Sequence, residues 1–174
     1  MTTQEKWNVI SKTIYLEKIA ILAVQETYLD QQMTEQLKLR YKKNLRIVVS
    51  PHLENPRVKA GVTFIINKKL IRPEEIKPHE LIPGRALMIN IKWLGSCITS
   101  ILNIYAPNER TAHPQFWVKT QTKRRSCHLP KPEFALGDFN VTEDTIDRKP
   151  PRLDDASASN ALREIRHDWE IHNT

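Results

Sequence analysis

Three short polar clusters in this chain each follow an apolar stretch. Gln25-Glu26-Thr27 comes after Ile19 to Val24, Asn103-Ile104-Tyr105-Ala106-Pro107-Asn108 closes the run that begins at Cys97, and Gly137-Asp138-Phe139-Asn140 follows Phe134-Ala135-Leu136. Rigid scaffolds commonly mount their working groups where buried strands end. The side chains gathered this way are carboxylates, carboxamides and a phenol. Hydrolysis of a phosphodiester calls for that set, because it needs a hard divalent cation on oxygen ligands, a positioned water and donors around a charged transition state. If residues 138 to 140 are extended, Asp138 and Asn140 face the same side, since strand side chains repeat every two residues. Glu26 then supplies a second carboxylate. Taken singly, each cluster has an ordinary reading: Gly-Asp-x-Asn as a turn, Ala-Pro-Asn as a loop start, a glutamate after a strand as a solvent-facing residue.

The elements that must position these groups are legible as alternating periodicities. Residues 4 to 17 place Trp7, Ile10 and Ile14 at helical spacing, and the apolar stretch that follows reads as a buried strand. A second helix is expected from Asp30 as its cap, turning Met33, Leu37 and Tyr41 inward, with Arg46 to Val49 returning as a strand stopped by Pro51. Residues 61 to 67, 86 to 93 and 97 to 107 are rich in β-branched and aromatic residues and read as strands, the last two joined by a tight hairpin at Leu94-Gly95-Ser96. Pro73, Pro78 and Pro83 make the segment before them a loop or a sheet edge. Thr111 to Thr122 reads as a helix presenting Phe116 and Trp117, residues 133 to 140 as a further strand and turn, and Ser159 to Trp169 as a helix aligning Leu162, Ile165 and Trp169. Strand links this short favour largely antiparallel pairing, so the expected class is α/β of the α+β type: a two-layer β-sandwich flanked by helices.

At 174 residues with 40% hydrophobic content, the chain suits a single domain with its own core. Its 27 lysines and arginines against 20 aspartates and glutamates give a net charge of +7, which favours a polyanionic partner. The two basic runs are Lys38 to Arg46, with Lys42 and Lys43 and no acid, and Lys119 to Arg125, with Arg124 and Arg125. They are candidate nucleic-acid contacts, although solvated helix faces look the same. Cys97 and Cys127 lack the paired spacing of zinc or redox sites and read as ordinary thiols of a reducing compartment. No signal core or membrane-length apolar run stands in the sequence, so an intracellular setting, the nucleus included, is expected, with no membrane and no small-molecule cofactor.

Together and in this order, Gln25-Glu26-Thr27, Gly84-Arg85, Asn103-x-Tyr105-x-Pro107-Asn108 and Gly137-Asp138-x-Asn140 closely resemble the endonuclease/exonuclease/phosphatase superfamily, of DNase I-like fold. Pro83 to Leu87 and the run from Leu136 to Arg148 look most like the endonuclease domains of fungal non-long-terminal-repeat retrotransposons. The resemblance implies Glu26 as a ligand of magnesium or manganese, Asp138 orienting or deprotonating the attacking water, and Asn140 holding the scissile phosphate. It implies a phosphate-directed hydroxyl on Tyr105, with Asn103, Asn108 and Arg85 ordering the surrounding polar network, and Asp147 and Arg148 fixing a loop. DNA would be the substrate, and a reverse transcriptase would be linked to the domain in an intact element.

Two family features find no counterpart in these residues: a first strand with a metal-proximal asparagine, and closing strands with an aspartate and a Ser-Asp-His triplet. His167 and His172 match no part of that triplet. Losing one donor to the transition state costs about a hundredfold or more in rate, so the expectation is a partial domain that cuts weakly or not at all. Missing strands also leave open sheet edges, which predicts poor solubility or rescue by another chain. Two other readings stand beside it: a non-catalytic nucleic-acid-binding remnant, and a superfamily phosphatase acting on a phosphoinositide, a sphingolipid or an RNA tail.

Overall fold

The computed structural model describes residues 3–56, 60–93, 97–141 and 156–171. Two sheets form its centre. The first holds β1 (Ile21–Gln25), β2 (Leu45–Ser50) and β3 (Val62–Asn67) in the order β1-β3-β2, antiparallel throughout. The second runs β4 (Ile76–Ile82), β5 (Ala86–Trp93), β6 (Cys97–Tyr105), β7 (Phe134–Asp138) in chain order. Helices α1 (Thr3–Leu16) and α2 (Gln31–Tyr41) cover the first sheet, and α3 (His113–Ser126) and α4 (Ala156–Trp169) cover the second.

Strand alternation sorts the side chains into three cores. From β3, Val62, Phe64 and Ile66 face the second sheet, where Leu87, Ile89 and Ile91 of β5 meet them. Ile65 points the other way, onto Trp7, Ile14 and Leu37 of the helices. Met88, Leu102 and Ile104 form the far face of the second sheet, against Phe116 and Trp117 of α3 and the aligned Leu162, Ile165 and Trp169 of α4. Phe64 is wholly buried, and burying a side chain of that kind contributes about 1.5–3 kcal/mol. The sandwich with flanking helices therefore matches the expected class.

Several local expectations hold for the reasons given. Asp30 caps α2 by accepting from the Met33 amide at 2.7 Å. Pro78 is tolerated because β4 is an edge strand. Trp93 pairs with Cys97, so the two strands form a hairpin, although Leu94 to Ser96 lie outside the described residues. Asp147, Arg148 and His172 lie outside them too.

One expectation needs correction. The stretch Ile21–Gln25 is mostly apolar but only half-buried, because it forms an edge and β3, not β1, occupies the centre. Pairing among the described strands is largely antiparallel, as expected, with β6 and β7 running parallel. Residues 106 to 133 carry α3 between those two strands, and a helical crossover is what a parallel pair requires. Among the described residues, no helix is long and apolar enough to cross a membrane.

Candidate active site

The topology brings the three polar clusters to one end of the sandwich. β1 ends at Gln25 opposite Val62, the first residue of β3, and the last residues of β6 and β7, Tyr105 and Asp138, are register partners. Asn103, wholly buried, ties the two sheets together there. Its Nδ2 donates to the carbonyls of Val24 at 3.2 Å and Thr63 at 3.0 Å, while its Oδ1 accepts from Gln25 Nε2 at 2.7 Å. Thr63 adds a hydroxyl bond to Thr27 Oγ1 at 3.2 Å, and the Thr27 amide donates to the Gly61 carbonyl at 3.2 Å. Both residues flanking Glu26 are thus fixed from inside the molecule.

Glu26 itself sits at φ 52° and Tyr28 at φ 49°, the left-handed region that costs a side-chain-bearing residue roughly 1–3 kcal/mol. That conformation presents the exposed Glu26 carboxylate to two phenols. Tyr105 donates its hydroxyl to Glu26 Oε1 at 2.5 Å, and the Tyr28 hydroxyl feels the same carboxylate. Burial, then the hydrogen bond and charge of Glu26, push the Tyr105 hydroxyl up to about 12, and the same causes raise Tyr28. Both hydroxyls therefore stay neutral donors at physiological pH.

On the other side of Tyr105, Asn108 Oδ1 lies 3.4 Å from its hydroxyl and accepts from Asn140 Nδ2 at 3.0 Å. Asn140 Nδ2 also donates to the Ala106 carbonyl at 2.8 Å. Asp138 and Asn140 do come together, but not by extended-strand alternation. Asn140 lies at φ 53°, and its backbone amide donates to Asp138 Oδ1 at 2.9 Å, a turn closed by the aspartate's own side chain. The preceding Gly137, at φ 138°, lies so close to β6 that a Cβ there would overlap the Ile104 carbonyl. Arg85 stands behind Tyr105, its guanidinium donating to the Tyr105 carbonyl at 3.2 Å and lying 5.3 Å from the ring centroid.

The four basic candidates are not at this end. Lys42 and Lys43 precede Leu45, the register partner of Asn67 at the far end of β3, roughly 17 Å from Val62 at the usual strand rise. Arg124 is buried, with Nη1 on the Leu129 carbonyl at 2.7 Å and Nε on Gln121 Oε1 at 2.8 Å, so its charge supports the α3–α4 packing. Arg125 pairs with Asp168 at 3.3 Å on the surface.

Sequence reasoning missed Tyr28, His113 and Lys6. Tyr28 lies two residues after Glu26, and that spacing was the available signal. The buried His113 holds Nε2 2.8 Å from the Pro107 carbonyl and fixes the loop after β6. Lys6 lines an open cleft of about 390 Å³ beside Glu26 and Tyr28.

Among the described residues, no three histidine, cysteine, aspartate or glutamate side chains gather as a metal cage. The ligands the cluster can offer are nonetheless hard oxygens, from the exposed carboxylates of Glu26 and Asp138 and from neighbouring amide carbonyls and a phenol. That chemistry fits a magnesium-like ion, which keeps several waters and takes one or two carboxylates plus substrate phosphate.

No protein-family profile matches the chain. An uncharacterized 149 kDa protein of transposon TX1 from Xenopus laevis is 30% identical over 94 residues, 54% of this chain and 7% of that protein. Among solved structures, the endonuclease domain of TRAS1, a telomere-specific non-LTR retrotransposon, superposes over 93% of this chain with a TM-score of 0.61 at 13% identity. An endonuclease/exonuclease/phosphatase family protein from Bacteroides thetaiotaomicron does so over 93% with a TM-score of 0.59 at 12% identity. The chain spans 64% and 60% of those two structures. Its fold is the DNase I-like endonuclease fold.

Proposed function

We propose that the strand-end cluster is the catalytic end of a metal-dependent phosphodiesterase that nicks DNA, belonging to an element of retrotransposon type and linked there to a reverse transcriptase. The observation that carries this reading is the convergence of Glu26, Tyr105, Asn108, Asp138 and Asn140, with Glu26 and Asn140 both held in left-handed backbone. The left-handed backbone at Glu26 turns its carboxylate outward, and the turn closed by Asp138 places Asn140, a residue type that accepts that conformation. A 30% identical stretch in a transposon protein points to the same class of element.

Each residue then has a task its surroundings allow. Glu26 would hold magnesium or manganese through its exposed carboxylate; such an ion, when bound, polarises the phosphoryl oxygens and neutralises developing charge. Tyr105, neutral well above physiological pH, offers its hydroxyl to a phosphate oxygen once Glu26 turns outward. Asp138 is exposed beside it and accepts the proton of the attacking water, while its bond to the Asn140 amide fixes the carboxylate's direction. Asn140 and Asn108 are already bonded and orient one another's amides towards the phosphate.

Weak or absent cutting by residues 1–174 on their own is part of this reading: His113 is engaged on the Pro107 carbonyl, and His167 lies on α4 beside Arg166 and Asp168, so neither offers the cluster an imidazole. Plasmid nicking with magnesium tests the whole reading. The 174-residue chain is compared with the same chain embedded in a longer one that extends over the whole length of the TRAS1-type domain, of which it spans 64%, each with and without Asp138→Ala. Cutting by the longer chain alone, abolished by Asp138→Ala, is the expected result; cutting that survives the substitution refutes the site.

A further inference from the structure

The end of the molecule away from the strand-end cluster has its own concave surface. A cleft of about 280 Å³ opens between the last turns of α1, the end of α2 and the far end of β3, lined by Asn8, Lys12, Tyr15, Asn44, Asn67 and Lys69 among others. No carboxylate lines it. Lys12 and Lys69 bring two cations, and the Lys69 ammonium lies 4.6 Å from the centre of the Tyr15 ring. That ring is 62% exposed, so a flat apolar face stands open beside a positive charge.

The amides are set by their neighbours. Tyr41 donates its hydroxyl to Asn8 Oδ1 at 2.7 Å, and Asn67 Oδ1 accepts from the Lys69 backbone amide at 3.0 Å. Asn67 is buried at the base of the cleft, and both amide oxygens are engaged within the protein. Buried Ile14 forms the floor. Lys42, Lys43 and Lys68 extend the positive surface outward, with Lys68 Nζ bonded to the Lys42 carbonyl at 2.5 Å.

We infer that this cleft is a second nucleic-acid contact, taking one unpaired nucleotide with its phosphate. Two lysines match a phosphate, an exposed phenol ring flanked by a cation matches a base face, and amide donors match the base edge. The volume lies near the low end for ligand pockets, which suits a single nucleotide and excludes a duplex from entering. An acidic peptide would use the lysines but leave the ring and the amides without a role. The contact stands roughly 17 Å along β3 from the strand-end cluster, so a strand can occupy it independently of any cutting at Glu26.

Fluorescence anisotropy with a labelled short oligothymidylate, magnesium omitted, measures the contact on the whole chain, and an iodouracil cross-link read by mass spectrometry locates it. The expected cross-link is on Tyr15. Charge reversal with Lys12→Glu and Lys69→Glu lowers affinity about tenfold or more and flattens the salt dependence by roughly one phosphate's worth. Tyr15→Ala weakens oligonucleotide binding about fivefold or more, leaves duplex binding unaltered, and is rescued by Tyr15→Trp. All three side chains are exposed, so a thermal melt matching the native chain accompanies these losses. Glu26→Gln keeps the Tyr15 cross-link, which separates failure of this contact from failure of the cutting site. Binding unchanged by the charge reversal, cross-links confined to other residues, or equal competition by polyglutamate with no effect of Tyr15→Ala would each overturn the inference.

Discussion

Glu26 and Asp138 reach the same end of the sandwich from two edge strands that are anchored in different ways. Glu26 follows β1, whose neighbour β3 is buried along its whole length, and its position is set by side-chain bonds through the interior: Gln25 to Asn103, Thr27 to Thr63. Asp138 ends β7, an exposed edge strand on which Phe134 and Leu136 remain 51% and 42% exposed. It is positioned along the edge: by the parallel pairing with β6, the Ala106 amide on the Asp138 carbonyl at 2.9 Å, the close approach at Gly137, and the local bonds of the Asn140 turn. One half of the site is wired through the core and the other is laid along an edge. The first should resist perturbation of its surroundings, and the second should depend on whatever keeps β7 against β6.

Substitutions can break this contrast, and the largest effect belongs to the chemistry. In the longer chain of the nicking assay, Asp138→Ala lowers the rate about a hundredfold or more with little change in melting temperature, since the aspartate is exposed and its loss leaves no buried group unpaired. Asn103→Ala acts in the opposite sense. It strips partners from the Val24 and Thr63 carbonyls and from Gln25 inside the sandwich, and urea unfolding should show a loss of about 2–3 kcal/mol. Gly137→Ala tests the edge: with φ at 138° and the Ile104 carbonyl in the way, β7 must shift, at a cost of roughly 1–3 kcal/mol. Amide exchange should then quicken in β7 and spare β1. If exchange quickens equally in both, the two halves are one unit and the contrast is false.

The smallest effect is a titration. Because folding raises the Tyr105 hydroxyl above its ordinary value near 10, up to about 12, its contribution to stability is fully present below pH 10 and is lost as pH rises through about 12. Absorbance at the tyrosinate band, followed in a metal-free sample, should show a late step that Tyr105→Phe removes. A titration unchanged by that substitution means that Tyr105 does not face Glu26 as described.

Much of this arrangement is legible in the sequence, and the exceptions share a cause. The Asp30 cap and the Leu162, Ile165, Trp169 face follow from local chemistry and periodicity, and the structure has them as read. Edge position is a property of the assembled sheet, so the apolar run of β1 was read as buried when it is half-covered. The parallel β6–β7 pair likewise depends on where α3 packs. At the site, residue types and order marked Glu26, Tyr105, Asp138 and Asn140 as candidates, but not the left-handed backbone that aims Glu26, because a glutamate at positive φ is selected by tertiary contacts and not by propensity. Arg124 shows the same limit for charge: its run reads as a surface cation cluster, yet the helix turns it onto Gln121 and Leu129.

The central claim, that Glu26 carries the metal for a DNA-cutting end, is tested most directly by titrating magnesium in the nicking assay of the longer chain with and without Glu26→Gln. The account predicts that the substitution raises the magnesium concentration for half-maximal cutting about tenfold or more while DNA binding in the absence of metal is unchanged. An unchanged magnesium requirement would contradict it and remove Glu26 from the metal site.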